Sequence, residues 1–238
     1  MTTTRSSPSP GRASLTGRAA GRRLRWGAGA ALALGLFLAG PGQAEAIAAS
    51  GIAMPSAIAA DVSSVADSFS AWAVESGDSQ GLPFLVIDKI HARVLAYDRD
   101  GELLGSAPAL LGLARGDVSP PGVGDLPLSA IRPDQRITPA GRFLASMGES
   151  LAGKAVLWID YDTALALHAV VTTTAAERRL QRLDTETAAD NRISYGCINV
   201  PTGFYDEIVR PAFEGAVGVV YILPEVRPLN EVFAAWPA

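Results

Sequence analysis

The stretch "RISYGCINVP", Arg192 to Pro201, holds the one cysteine of the chain, Cys197. Gly196 precedes it and Asn199 follows two residues on. With one cysteine the chain forms no internal disulfide and must stand on packing alone. A thiol acts as a nucleophile in its thiolate form, beside a base or a cation and in an open position. Gly196 lets the backbone approach a substrate closely. Successive N–H groups in such a turn can hold a developing oxyanion. A buried, inert cysteine is the competing reading. It accounts for the isolation of Cys197 but not for the polar turn around it.

Two histidines are candidates for the base. His91 lies in "DKIHAR", between two strand-like runs, and reads as a surface-turn residue. His168 lies in "LALHAVV", where Leu165, Leu167, Ala169 and Val171 share one strand face. His168 falls on the other face beside the small Ala166. A satisfied core histidine and a cleft histidine both fit that spacing. One cysteine and two distant histidines are too few ligands for a metal site, so no metal and no cofactor is expected.

Outward from this stretch the chain reads as mainly β. "PFLVID" (83–88) and "ARVLAYD" (92–98) are strand-like, and "DRDGE" is a turn with Gly101 able to take positive φ. "ELLGSAPALLG" continues as a strand pair or a bent strand. Residues 112–137 are rich in Pro, Gly and Asp, and a loop of that length is usually functional or disordered. "GRFLASM", "AVLWIDY" and "LALHAVV" are three more strands, and "VGVVYILP" (217–224) is a buried closing strand. "AAERRLQRLDTE" (175–186) reads as a helix. So does "PTGFYDEIVRPAF", with Phe204, Ile208 and Val209 on one face. Many short strands and few helices indicate a mainly β fold with a few short helices.

The first 46 residues differ in kind. Six arginines and no acid occupy residues 1–25; an uncharged apolar run, Trp26 to Gly40, follows; "PGQAEA" then offers small residues for cleavage. This is the plan of a signal peptide over residues 1–46, and the run is short for a membrane span. An uncleaved anchor is the alternative. The chain carries 20 basic and 24 acidic residues; removing six arginines and Glu45 leaves 14 against 23, a net charge of −9. That excludes the basic stripe of a nucleic-acid binder. Residues 47–81 read as a linker with a short helix near its end, Val65, Phe69 and Trp72 at helical spacing. Residues 82–224 form the folded domain, and 225–238 a C-terminal tail.

Taken together, His168 on a strand and "SYGCINV" resemble the signature of the L,D-transpeptidase catalytic domain. That family's pattern is a histidine, an interval, then Ser/Thr-His-Gly-Cys-hydrophobic-Asn. His168, Ser194, Gly196, Cys197, Ile198 and Asn199 match it. "LVIDKIHARVLAYDRDGELLGSAPALLG" is similar to the family's opening strands. "ITPAGRF" (137–143) resembles its Thr-Pro-x-Gly-aromatic element. The likeness spans residues 82–224. Two departures stand out: Tyr195 replaces the usual histidine before glycine, and 25 residues (169–193) separate His168 from Ser194, more than is common.

The resemblance implies a β-sandwich and an enzyme of peptidoglycan stem peptides. Cys197 would attack the carbonyl of the third residue, commonly meso-diaminopimelate, releasing D-alanine and leaving a thioester. A stem-peptide amine, a lipoprotein lysine or water would resolve it. His168 would be the base, its ring oriented by the backbone carbonyl of Ala169. The N–H groups of Gly196 and Cys197, with Tyr195, would form the oxyanion hole. Ser194 and Asn199 would hold the loop, and Arg192 could meet a substrate carboxylate. The protein would be exported to the periplasm or cell envelope. The alternatives are an L,D-carboxypeptidase-type hydrolase on the same fold, a non-catalytic wall-binding protein, and a papain-type protease, whose sequence surroundings are absent. Oligomeric state is left open. The long interval, residues 172–191, reads either as a surface insertion or as a flap over the cleft, its ends tethered at both catalytic residues.

Overall fold

The computed structural model describes residues 64–237. The signal-peptide reading and the first part of the linker lie outside them. Ten strands are described. They are β1 (Phe84–Asp88), β2 (Arg93–Tyr97), β3 (Leu103–Pro108), β4 (Leu111–Gly112), β5 (Gly141–Glu149), β6 (Ala155–Asp160), β7 (Leu165–Ala169), β8 (Arg192–Ser194), β9 (Ile198–Val200) and β10 (Val217–Ile222). Eight form one mixed sheet in the order β3-β2-β1-β10-β5-β6-β7-β9; β4 and β8 form a small parallel pair. The fold is therefore mainly β with a few short helices, as the residue pattern predicts.

Local chemistry explains the hairpins. Asp88 Oδ1 accepts from the N–H groups of Ile90 and His91, and turns β1 into β2. Asp98 Oδ1 does the same for Asp100 and Glu102, with Gly101 at φ 85°. The last strand, β10, inserts between β1 (parallel) and β5 (antiparallel). Because it is covered on both sides, its run of β-branched residues is buried almost throughout.

Alternation along β1 divides two cores. Leu85 and Ile87 join the main cluster with residues of β2, β5, β6, β7, β9 and β10, so the sheet bends around one interior. Beyond β9, Leu110 continues the wrapping: its N–H donates to Asn199 O at 2.8 Å and its carbonyl accepts from Asn199 N at 2.9 Å. A helix over residues 202–213, with a π-helical middle at Tyr205–Val209, caps this core with Tyr205, Val209 and Phe213.

Phe84 and Val86 face the other way, into a second cluster with α1 (Ser64–Glu75). Here the domain boundaries need correction. The helix expected in the linker is part of the fold: Ala66, Phe69 and Ala73 are fully buried, while Val65 is exposed. The expected C-terminal tail is core as well. Phe69 packs on Phe233 (4.7 Å between ring centres) and stacks on Trp236 (5.2 Å). Such ring pairs add about 0.5–1.5 kcal/mol each beyond area burial. The folded unit thus begins by residue 64 and includes residues 225–237.

Residues 113–137 are ordered into three short 3₁₀ turns (Val123–Asp125, Leu128–Ala130 and Pro133–Gln135). Their return to β5 brings Arg136–Thr138 against Gly112, where any Cβ would strike the backbone of Arg136 and Thr138. The expected helix over 175–186 is shorter: a 3₁₀ turn at Ala175–Glu177, then α2 (Arg179–Leu183), with Arg178 between them at φ 51°.

Candidate active site

β7 and β9 run parallel with His168 opposite Asn199 and Leu167 opposite Ile198. That register sets the histidine strand beside the strand that begins just after Cys197. Between β8 and β9 the chain makes the Tyr195-Gly196-Cys197 turn. Gly196 sits at φ 135°, a region that favours glycine, and a Cβ there would come 2.9 Å from Ile137 O. Glycine is thus required twice over at this position.

Three side chains hold the turn. Ser194 Oγ donates to Cys197 O at 2.6 Å and accepts from Gly196 N–H at 3.1 Å. Thr138, fully buried, donates from Oγ1 to Gly196 O at 2.7 Å and accepts from Gly112 N–H at 2.9 Å. Asn199 Nδ2 reaches Cys197 O at 3.4 Å. Ser194 and Asn199 therefore lie where side-chain bonds to the loop are made. The Gly196 N–H, by contrast, is already taken by Ser194, which corrects its assignment to an oxyanion hole.

His168 Nδ1 lies 2.8 Å from Ala169 O. A carbonyl only accepts, so Nδ1 carries the proton and Nε2 of the neutral ring keeps its lone pair. Nε2 is 3.5 Å from Asn199 Nδ2. The orientation of that amide is fixed from its other end. Asn199 Oδ1 accepts from Arg179 Nη1 at 2.6 Å, and arginine only donates. One asparagine amide thus links the histidine, the cysteine turn and an arginine from the insertion.

The electrostatics favour an uncharged resting pair. Burial pushes the Cys197 thiol up, against the backbone N–H groups of Ala166 and Cys197 and the charge of Arg179. Burial holds His168 below its ordinary value; the Ala169 carbonyl acts the other way and Arg179 adds to the lowering. At neutral pH the site holds a thiol and a neutral imidazole, and the thiolate has to be made during attack. The Cys197 thiol is partly exposed, with Sγ 3.5 Å from Ala164 O.

It opens on a narrow cleft between the 113–137 loop and the start of β7. Val123, Leu126, Leu128 and Ile131 give one apolar wall. Tyr195 lines it too, under the Arg136 guanidinium at 4.0 Å from the ring centre. Arg136 is fixed in turn by Ile131 O.

Arg192 is placed elsewhere. Its guanidinium is buried and engaged by Glu225 (2.6 and 3.1 Å) and by Lys89 O (2.7 Å). It anchors β8 and is not free to meet a substrate carboxylate, because leaving Glu225 would strand a fully buried carboxylate. His91, itself exposed, pairs with the buried Asp88 at 2.8 Å, away from the cleft.

Three features escaped the sequence: Arg179 at Asn199, the hydroxyl of Thr138 under Gly196, and the buried ion cluster around Lys89. Only Thr138 left a signal, in the Thr-Pro element.

No protein-family model matches the chain. No curated protein matches it. Solved structures do resemble it. The catalytic domain of the E. faecium L,D-transpeptidase is 16% identical, covering 59% of this chain and 96% of that one, with a TM-score of 0.34. LD transpeptidase LdtMt1 in complex with imipenem is 15% identical, covering 59% and 58%, at 0.33. The helical cell shape determining protein Pgp2 from Campylobacter jejuni is 12% identical, covering 70% and 58%, at 0.39. This chain thus spans less than two thirds of the latter two. At these scores the functional reading rests on this chain's own residues.

Proposed function

We propose that this chain is an exported L,D-transpeptidase that acts on peptidoglycan stem peptides through a Cys197 thioester. The observation that carries the reading is the Cys197–Asn199–His168 arrangement. A partly exposed thiol sits in a glycine turn, and the neighbouring imidazole is held with Nε2 unprotonated by the Ala169 carbonyl.

The chemistry follows from that tautomer. His168 Nε2 takes the thiol proton as sulfur attacks the carbonyl carbon of the third stem residue. The Cys197 N–H meets the developing oxyanion. The imidazolium then protonates the departing amine of D-alanine, and the thioester remains. An incoming amine gives its proton to Nε2, attacks the thioester and returns sulfur to the thiol as the imidazolium hands its proton back. A stem-peptide amine gives a cross-link and a lipoprotein lysine an anchor; water gives a shortened peptide. The apolar wall of Val123, Leu126, Leu128 and Ile131 favours the amine by limiting water at the thioester. The basic and apolar leader supports export to the periplasm or cell envelope.

Intact mass after exposure to a carbapenem tests the nucleophile. The wild type gains one drug mass and Cys197→Ala gains none. Equal labelling of both proteins removes the assignment.

A further inference from the structure

The insertion between His168 and Cys197 places one cation at the reacting groups. Arg179, the first residue of α2, extends to β9 and donates from Nη1 to Asn199 Oδ1 at 2.6 Å. Its Nε donates to Glu177 Oε2 at 2.6 Å, which fixes the guanidinium plane. The side chain is only 12% exposed. The other two arginines of the insertion are used differently. Arg182 is engaged by Glu177 O and Asp190 O, and Arg178 lines the outer surface with Gln181 and Thr185. Leu183, 5% exposed, anchors the segment.

Holding an arginine side chain largely out of water costs several kcal/mol unless partners offset it. A five-residue helix gains little by itself. Glu177 and Asn199 use Nε and Nη1 and leave the two N–H donors of Nη2 without a partner among the described residues. The cleft at Cys197 is lined by no charged side chain, and the nearby Arg136 is stacked over Tyr195 and bonded to Ile131 O. The chain after its leader is acidic, at −9, and repels anions at long range. A fixed cation on Asn199, two residues from Cys197, is what an anionic substrate would need.

We propose that Arg179 is the carboxylate-recognising residue of the acyl-donor site, reading the free carboxylate of the residue that leaves. The proposal rests on the stem-peptide reading above. In a donor that ends one residue after the attacked bond, that carboxylate lies within about 4 Å of the attacked carbonyl carbon, since successive Cα atoms are 3.8 Å apart. An arginine joined through one asparagine to the cysteine turn selects donors ending at this residue over longer or amidated ones. Its charge acts on the thiolate and on the substrate together.

The test uses two alkylating agents that differ mainly in charge, iodoacetate and iodoacetamide, on the wild type, Arg179→Gln and Arg179→Lys. Glutamine keeps a hydrogen-bonding side chain without the charge, and melting curves verify folding. The rate ratio of iodoacetate to iodoacetamide at Cys197 is expected to fall about fivefold or more in Arg179→Gln and to be largely kept in Arg179→Lys. A purely structural arginine would change both rates together, and an unchanged ratio overturns the proposal. With a tetrapeptide donor, Arg179→Gln is expected to raise KM about tenfold or more for the free acid and to raise it far less for the C-terminal amide, any loss through the thiolate being common to both. Equal losses on acid and amide also overturn it. If the alkylation ratio shifts as expected while the wild type releases no D-alanine, the stem-peptide reading fails and the anion site at Arg179 stands.

Discussion

His168 carries its proton on Nδ1 because the Ala169 carbonyl demands a donor, and this makes Nε2 a base. Burial then holds its pKa below the ordinary 6.5. The active form is the neutral ring, which persists above that pKa. The acid limb of kcat/KM is therefore expected to have its midpoint below pH 6.5. In Arg179→Gln it should move upward, because the arginine contributes to the lowering. A limb above 6.5 in the wild type would contradict the neutral pair. His168→Ala is expected to slow acylation about 10²–10⁴-fold, while His91→Ala, an exposed ring outside the cleft, is nearly silent in the same stopped assay. The turn at Cys197 and the strand position of His168 were legible because a glycine turn and a strand histidine leave local marks. Arg179 was not. Its contact with Asn199 joins residues 20 apart, and nothing in "AAERRLQRL" distinguishes one arginine from the next. Arg192 was misread for the same reason: its partner Glu225 is 33 residues away.

At the level of elements, the strands were readable because β-branched residues alternate between two buried faces. α1 was placed correctly, and Phe69 and Trp72 do face the core, but Val65 is exposed and Ala66 and Ala73 take the innermost positions. Val65, Phe69 and Trp72 and the observed Ala66, Phe69 and Ala73 both satisfy helical spacing, and only the close approach to β1 selects the alanines. The C-terminal segment looked like a tail because two prolines and charged residues hide Phe233 and Trp236. Phe69→Ala removes the ring at the centre of that cluster. It is expected to cost about 3–5 kcal/mol in denaturant unfolding and to leave acylation per folded molecule unchanged. Replacing residues 174–189 with a Gly/Ser linker is a different case. It takes Arg179 away with the insertion, so acylation of a tetrapeptide should slow as well as resolution shifting toward hydrolysis. Quantifying D-alanine release beside the cross-linked and shortened products separates the two effects. An unchanged acylation rate would mean that the insertion does not serve the donor site.

Across the whole molecule, one buried ion cluster joins segments distant in sequence. Lys89 Nζ donates to Asp117 Oδ1 (2.7 Å), Gly116 O (2.6 Å) and Thr138 O (2.9 Å). Asp117 also accepts from the N–H groups of Glu225, Val226 and Arg227. Glu225 in turn holds Arg192 at the start of β8. The cleft loop, the C-terminal segment and the nucleophile turn are thereby fixed together, with Thr138 passing the constraint to Gly196. Burial alone would push the Asp117 carboxyl up; Lys89 and the backbone donors outweigh it and bring it to about 2. Its contribution to stability is therefore present above about pH 4, the unfolded carboxyl range, and is lost as pH falls toward 2. Asp117→Ala takes the close counter-ion from the buried lysine and the acceptor from three backbone N–H groups, and is expected to cost about 3–5 kcal/mol, or roughly 6–20 °C in Tm. A loss within 1 °C would contradict this role. The central claim remains the one at Cys197. Its most direct test is intact mass spectrometry of the protein after brief exposure to a stem tetrapeptide ending in D-alanine, with free D-alanine measured in parallel. The account predicts an adduct equal to the tetrapeptide less D-alanine on the wild type, a matching release of D-alanine, and neither in Cys197→Ala. An unmodified wild-type mass with no D-alanine released, from a protein whose melting curve is intact, would contradict it.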